Sequence, residues 1–212
     1  MHGSIAARRI VPNRSCCLST SPGAGQTHPQ KFPGDYSGML MSDGYSAWRT
    51  LKKATHFGCM AHARRLFVKA DKAAQKNGDD GKPKAPNARV ARALEYFQAL
   101  YRVEALAKGD LPAGQTRADY AYHLRQLHSV PVLEAFKAWL DELAPKVAPQ
   151  SLLGKAIAYT RNQWEYLSRY VTDGRAPIDN NWVHAASGMN PVMPTSRLCR
   201  VVHLYDGGYG LS

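Results

Sequence analysis

The feature that most constrains this chain is a change of hydrophobic period near residue 88. From there Val90, Leu94, Phe97, Tyr101 and Glu104 step by three or four, with Leu100 and Val103 widening the face; that spacing fits one side of an α-helix. A second helix is predicted over Arg117 to His128. After Pro131, suited to a first helical turn, Phe136, Trp139, Leu140 and Leu143 form the inward stripe of a third, from Val132 to Leu143. Leu153, Ile157, Thr160, Trp164, Leu167 and Val171 then alternate spacings of four and three, which predicts the longest helix, Ser151 to Thr172, stopped by Asp173-Gly174. Residues 88–173 therefore read as an all-helical block, and Trp139 and Trp164, like Trp48 earlier in the chain, are assigned to packing.

The chain before this block has a different texture. In Gly38-Met39-Leu40-Met41-Ser42-Asp43-Gly44-Tyr45 a short apolar run meets a carboxylate and then a glycine. It reads as a buried strand ending in an acid, and the carboxyl ends of strands are where α/β sheets collect ligands and catalytic groups. The alternative is that Asp43 caps a short helix starting near Ser46. A second strand is expected over His56 to Met60, followed by a basic helix from Ala61 to Ala74. Two short strands without further partners would leave exposed sheet edges. Gln75 to Ala88 is polar, with Gly and Pro, and reads as an exposed loop; Met1 to about Pro33 has no sustained periodicity.

Charge narrows the partners. A formal net charge of +12 over 212 residues favours a polyanion, with nucleic acid ahead of an anionic membrane surface. No apolar run approaches the length of a membrane span, and the N-terminal segment lacks the apolar core of a secretory signal, so a cytoplasmic location is expected. Cys16, Cys17, Cys59 and Cys199 are too few and scattered for a disulfide framework.

Three smaller motifs need weighing. His56, Cys59 and His62 have a spacing that zinc could use, but a structural site needs four ligands and no second cluster answers, so Cys59 is read as a small buried residue. His62, Arg64, Arg65 and Lys69, at and after a helix start, read either as a phosphate-facing cluster or as a solvated surface. Asp179-Asn180-Asn181, after Gly174-Arg175, is by itself only a polar turn.

Taken in order, these segments say more. LMSDGYSAW, CMAHARRLF, LYRVE and AIAYTRNQWEYLSRYVTDGRAPIDNN, with SPGAGQTHPQKFPGDYSG before them, closely resemble the insertion-sequence sixty-six family of bacterial transposases. The resemblance runs from about Ser21 to Asn181. It implies a ribonuclease-H-like catalytic core with a helical insertion, an Asp-Asp-Glu triad of which Asp43 is the second acid, and a terminal motif at Asp179, Asn180 and Asn181. It also implies Mg²⁺ as cofactor, two ions activating the attacking oxygen and stabilising the leaving one, and DNA at the transposon ends as partner; an intact transposase is a further partner if the helical insertion acts only as a docking module.

The chain departs from that pattern in three places. No Ala-Asp-Glu-Thr-Pro-like segment supplies the first acid. The third acid is expected three residues after Asn181, where His184 stands. Beyond Trp182 the family's basic stretch is replaced by HAASGMNPVMPTSRLCRVVHLYDGGYGLS, as a shift of reading frame would produce. The expectation is an α/β fragment plus an all-α insertion: leader 1–20, partial core 21–74, loop 75–87, helical insertion 88–173, terminal core segment 174–181 and out-of-frame tail 182–212. Such a chain would be a truncated, catalytically dead transposase, or alternatively a non-catalytic helical module that binds DNA or transposase.

Overall fold

The computed structural model describes residues 37–44, 46–76, 87–180 and 203–205. The leader, nearly all of the polar loop and all of the tail except 203–205 lie outside the described residues. The chain is mostly helical around a small sheet. Strand β1, Met39–Ser42, pairs in parallel with β2, Thr55–Gly58, in the register Met39 to Thr55 and Ser42 to Gly58. Strand β3, His203–Tyr205, lies antiparallel on the other side of β1, so the order is β2-β1-β3. Two short strands with open edges were expected. Instead β1 is paired on both sides, its Leu40 and Met41 0% and 1% exposed, and the third strand comes from the tail, where the sequence shows no convincing periodicity.

The helices follow in chain order: α1 Met60–Lys76, α2 Ala88–Ala107, α3 Arg117–Leu124, α4 Val130–Leu143, α5 Leu152–Asn162 and α6 Trp164–Ser168. Local chemistry sets several of their starts. Asn87 caps α2 by accepting from Arg89 N, Thr116 caps α3 from Asp119 N, and Ser151 caps α5 from Gly154 N, each satisfying a backbone N–H that the helix cannot.

Two boundaries differ from the sequence reading. Between α3 and α4 the chain never leaves helical conformation: Arg125–Ser129 is a π-helical turn in which Val130 N–H reaches back five residues to Arg125 O. The predicted long helix from Ser151 to Thr172 is interrupted at Gln163 (φ −98°, ψ 4°) and closes with a 3-10 turn over Arg169–Thr172. Its apolar stripe continues across the interruption, which is why spacing alone does not reveal it.

Both parts of the chain share one core. Phe67 of α1, Phe97 of α2 and Phe136 of α4 meet with ring centroids 5.2 to 6.5 Å apart, and Met41 and Phe57 of the sheet join the same cluster. Tyr96, Trp139 and Trp164 pack half-buried around its rim. A buried ion pair ties the helices behind it. The Arg125 fork donates from Nε and Nη2 to both carboxylate oxygens of Glu104, at 2.8 and 2.7 Å, and from Nη1 to the carbonyls of Tyr170 and Asp173. Glu104, read from the sequence as part of a helical stripe, is thus a buried acid with a dedicated partner.

Candidate functional site at the sheet end

The site is built where β1 and β2 run out. Past Ser42 the parallel ladder gains one more bond, Cys59 N to Ser42 O at 3.2 Å, and then the two segments part. Asp43 follows, half-buried, and Gly44 turns the backbone at φ +87°, a conformation costly for any residue with a Cβ. An ideal Cβ there would lie 2.8 Å from Gln163 Cδ, so the end of that flexible side chain would have to move as well. Asp43 is thus an acid at the end of β1, ahead of the 3-10 turn over Ser46–Thr50.

The helices hold this turn from outside. Tyr159 Oη donates to the Asp43 carbonyl at 2.7 Å. Burial first, then the negative charge of Asp43, pushes that phenol above its ordinary range, so it stays a donor at any pH the protein meets. Gln163, at the α5–α6 break, packs against Gly44 and accepts from Arg49 Nη2 at 3.1 Å.

The Asp-Asn-Asn segment arrives at the same end. Gly174 allows it to pass close to α3, since a Cβ there would sit 1.8 Å from Ala118 O. Arg175 folds back on Asp173, and Ile178 O accepts from Met60 N at the start of α1. Asp179 and Asn180 are buried, 8% and 1% exposed. Asn180 Oδ1 accepts from the Cys59 thiol at 3.1 Å across 121 residues of chain, and Asp179 Oδ2 accepts from Tyr101 Oη at 2.5 Å. Burial pushes the Cys59 thiol up to about 11. The Tyr101 phenol is raised as well, by burial and then by Asp179.

Asp43, Asp179 and Asn180 therefore gather at one sheet end, while Asn181 lies outside the described residues. Helix α1 starts from the same place. Its Arg64, Arg65 and Lys69 are exposed and His62 is half-buried. At 100° per residue Arg65 and Lys69 share a face with exposed Lys72, while the charge of Arg64 acts weakly on the Tyr101 phenol. Tyr101, Tyr159, Gln163 and Arg49 were not picked out as site residues from the sequence: Tyr101 reads as one more residue of the α2 stripe, Tyr159 and Gln163 stand inside a family stretch that gives them no individual role, and Arg49 carries no motif.

The donor set of the described residues does not by itself make a metal centre. Among the described residues no group of three or more His, Cys, Asp or Glu converges, and one oxygen of Asp179 already accepts from Tyr101. This does not fit a two-ion Mg²⁺ centre held by three acids. Nor do His56, Cys59 and His62 converge: His56 Nε2 pairs with Leu51 O at 3.0 Å while the Cys59 thiol turns to Asn180. No described helix is long and apolar enough to cross a membrane.

Comparison with known proteins gives the geometry a context. The family model described as "Transposase IS66 family" matches residues 5–186, which takes in most of the leader ahead of Ser21 and a few residues past Asn181. Three curated proteins of Sinorhizobium fredii (strain NBRC 101917 / NGR234) are similar. "Uncharacterized protein y4jD" is 32% identical over 82% of this chain, "Uncharacterized protein y4hP" 31% over 73%, and "Uncharacterized protein y4qI" 32% over 71%. The match spans 32%, 28% and 27% of their respective lengths, so this chain covers about a third of each. No solved structure matches it.

Proposed function

This chain belongs to the Transposase IS66 family, and on that premise we propose that it is a DNA-binding, catalytically silent transposase segment. The observation that carries the reading is that the segment with Asp43 and the segment with Asp179 and Asn180 reach the same end of the sheet, linked through Cys59, beside the first turn of a basic helix. In this reading β1 and β2 belong to a ribonuclease-H-like core. Asp43 is its second acid, Asp179-Asn180-Asn181 is the motif leading to the third, and the helices from α2 to α6 are the insertion between them. His184 stands where the third acid is expected, and imidazole cannot replace a carboxylate as a hard Mg²⁺ ligand. The acids are retained as architecture, with Asp179 engaged by Tyr101.

DNA binding then falls to positive charge. Arg64, Arg65 and Lys69, with His62 at the helix start, supply contacts to phosphate and no evident base readout. The partner is bacterial DNA, including transposon ends, and the location is cytoplasmic, at the nucleoid when bound. Fluorescence anisotropy with labelled duplexes tests this. Binding should be tolerant of sequence and fall steeply between about 50 and 200 mM salt; affinity that does not change with salt would contradict it.

A second reading, docking on an intact transposase, has its own support in an open groove of about 620 Å³ between α4 and the α6 region, floored by Leu133, Trp164 and Val171. Co-elution with a full-length relative that survives Leu133→Asp would argue against it.

A further inference from the structure

We infer that the chain carries a second phosphate-binding surface, separate from α1, on the β1–β2 connection and the α6 end. Between Asp43 and Asp71 the sequence holds six Lys or Arg residues and no Asp or Glu. Three of the six are on α1. The other three, Arg49, Lys52 and Lys53, lie on the connection between β1 and β2, all exposed, so the stretch after the Asp43 turn carries three positive charges within five residues.

The structure fixes part of this cluster in place. Arg49 lies over the Tyr166 ring at 4.7 Å from its centroid, and Arg169 lies over the same ring at 5.3 Å. His56 meets Tyr166 edge-on at 6.5 Å. Arg49 also donates to Gln163, and Arg169 to the His56 carbonyl. A guanidinium stacked on an aromatic ring loses little further freedom when it meets a phosphate, which favours binding. Glu165 is paired with Arg169, so that acid offsets Arg169 and the patch as a whole keeps a positive balance toward a polyanion.

Position argues for the same ligand as the site already described. Arg49 reaches the Gly44 turn through Gln163, and Ser42, Gly44, Arg49, Gln163 and Tyr166 line one small depression. Duplex DNA lying across the Asp43 end would meet α1 on one flank and this patch on the other. With its ring under two guanidiniums, Tyr166 serves the phosphate contact and not base stacking, so recognition here is of the backbone.

This inference rests on the DNA-binding reading, and the experiment separates the two. The slope of log affinity against log salt is measured by anisotropy on a labelled duplex for wild type, for Arg49→Gln/Lys52→Gln/Lys53→Gln and for Arg65→Gln/Lys69→Gln. Each phosphate that is no longer neutralised reduces the slope by about 0.9, so the triple variant should lose between ~0.9 and ~2.7. Arg49→Lys, which keeps the charge, should keep most of the slope. A wild-type slope with no change in the triple variant, while the α1 pair reduces it, overturns this surface and leaves the DNA reading intact. A wild type without salt dependence overturns both. Should the triple variant lose its helical circular dichroism, the Lys52→Gln/Lys53→Gln pair is read in its place against the same criterion, with a loss of ~0.9 to ~1.8.

Discussion

The aromatic centre and the sheet end of this molecule are assembled by different means. Phe67, Phe97 and Phe136 meet because three helices each turn a locally encoded apolar face inward, and the contact needs no partner more specific than hydrophobic bulk. At the sheet end the contacts are between specific polar partners: Asp179 with Tyr101, Asn180 with Cys59, the Asp43 carbonyl with Tyr159. The first kind of assembly tolerates substitution that preserves volume. The second tolerates almost none, because a buried polar atom that loses its mate is not resolvated.

That contrast can be broken from either side. The largest effect is expected at the centre: Phe136 is 0% exposed and touches five aromatic rings, so Phe136→Ala should cost about 3 to 5 kcal/mol in chemical denaturation, whereas Phe136→Leu should cost much less. Glu104→Ala comes next. It strands the Arg125 guanidinium, 3% exposed, and should cost about 3 kcal/mol, more than a surface pair would. If Glu104→Ala proves no worse than loss of the exposed Lys146–Glu142 pair, the buried pair is not structural.

At the sheet end the expected costs are smaller but specific. Tyr101→Phe removes one hydroxyl from Asp179 and should cost about 1 to 2 kcal/mol, with little change in the aromatic near-ultraviolet signal of the helical core. The smallest effect is a pH dependence. Burial holds the Cys59 thiol protonated up to about 11, against an ordinary 9.0 in the unfolded chain. Folding stability from this group is therefore full below about pH 9 and lost as pH rises through about 11. Tyr101, Tyr159 and Tyr170, also raised mainly by burial, act in the same direction at still higher pH. Denaturation series at several alkaline pH values should show a shallower loss for Cys59→Ala than for wild type; identical slopes would remove Cys59 from the account.

The same contrast explains what the sequence made legible. Helices α1, α2 and α4 follow from spacing because a 3.6-residue period is a local property. The break at Gln163 does not, since Trp164 and Leu167 keep the stripe in phase, and what accompanies it is tertiary: Arg49 and the Gly44 turn against the Gln163 side chain. The π-helical turn is similar, for Arg125 gives no local sign that it will answer Glu104. Asp43 was legible as a strand-end acid, and Asp179-Asn180 only through the order of motifs along the chain. Their mates were not: Tyr101 and Tyr159 sit on helices whose apolar periodicity accounts for neighbouring residues without revealing a polar role. Strand β3, three residues long, is below what alternation can signal.

The central proposal is that Asp43 is one acid of a DNA-cleavage site whose full set of acids this chain lacks. Incubating the purified chain with supercoiled plasmid and either Mg²⁺ or Mn²⁺, beside an Asp43→Ala variant, tests it most directly. The account predicts salt-sensitive retardation of the plasmid and no conversion to the nicked form by either protein; nicking by the wild type that disappears in Asp43→Ala would contradict it.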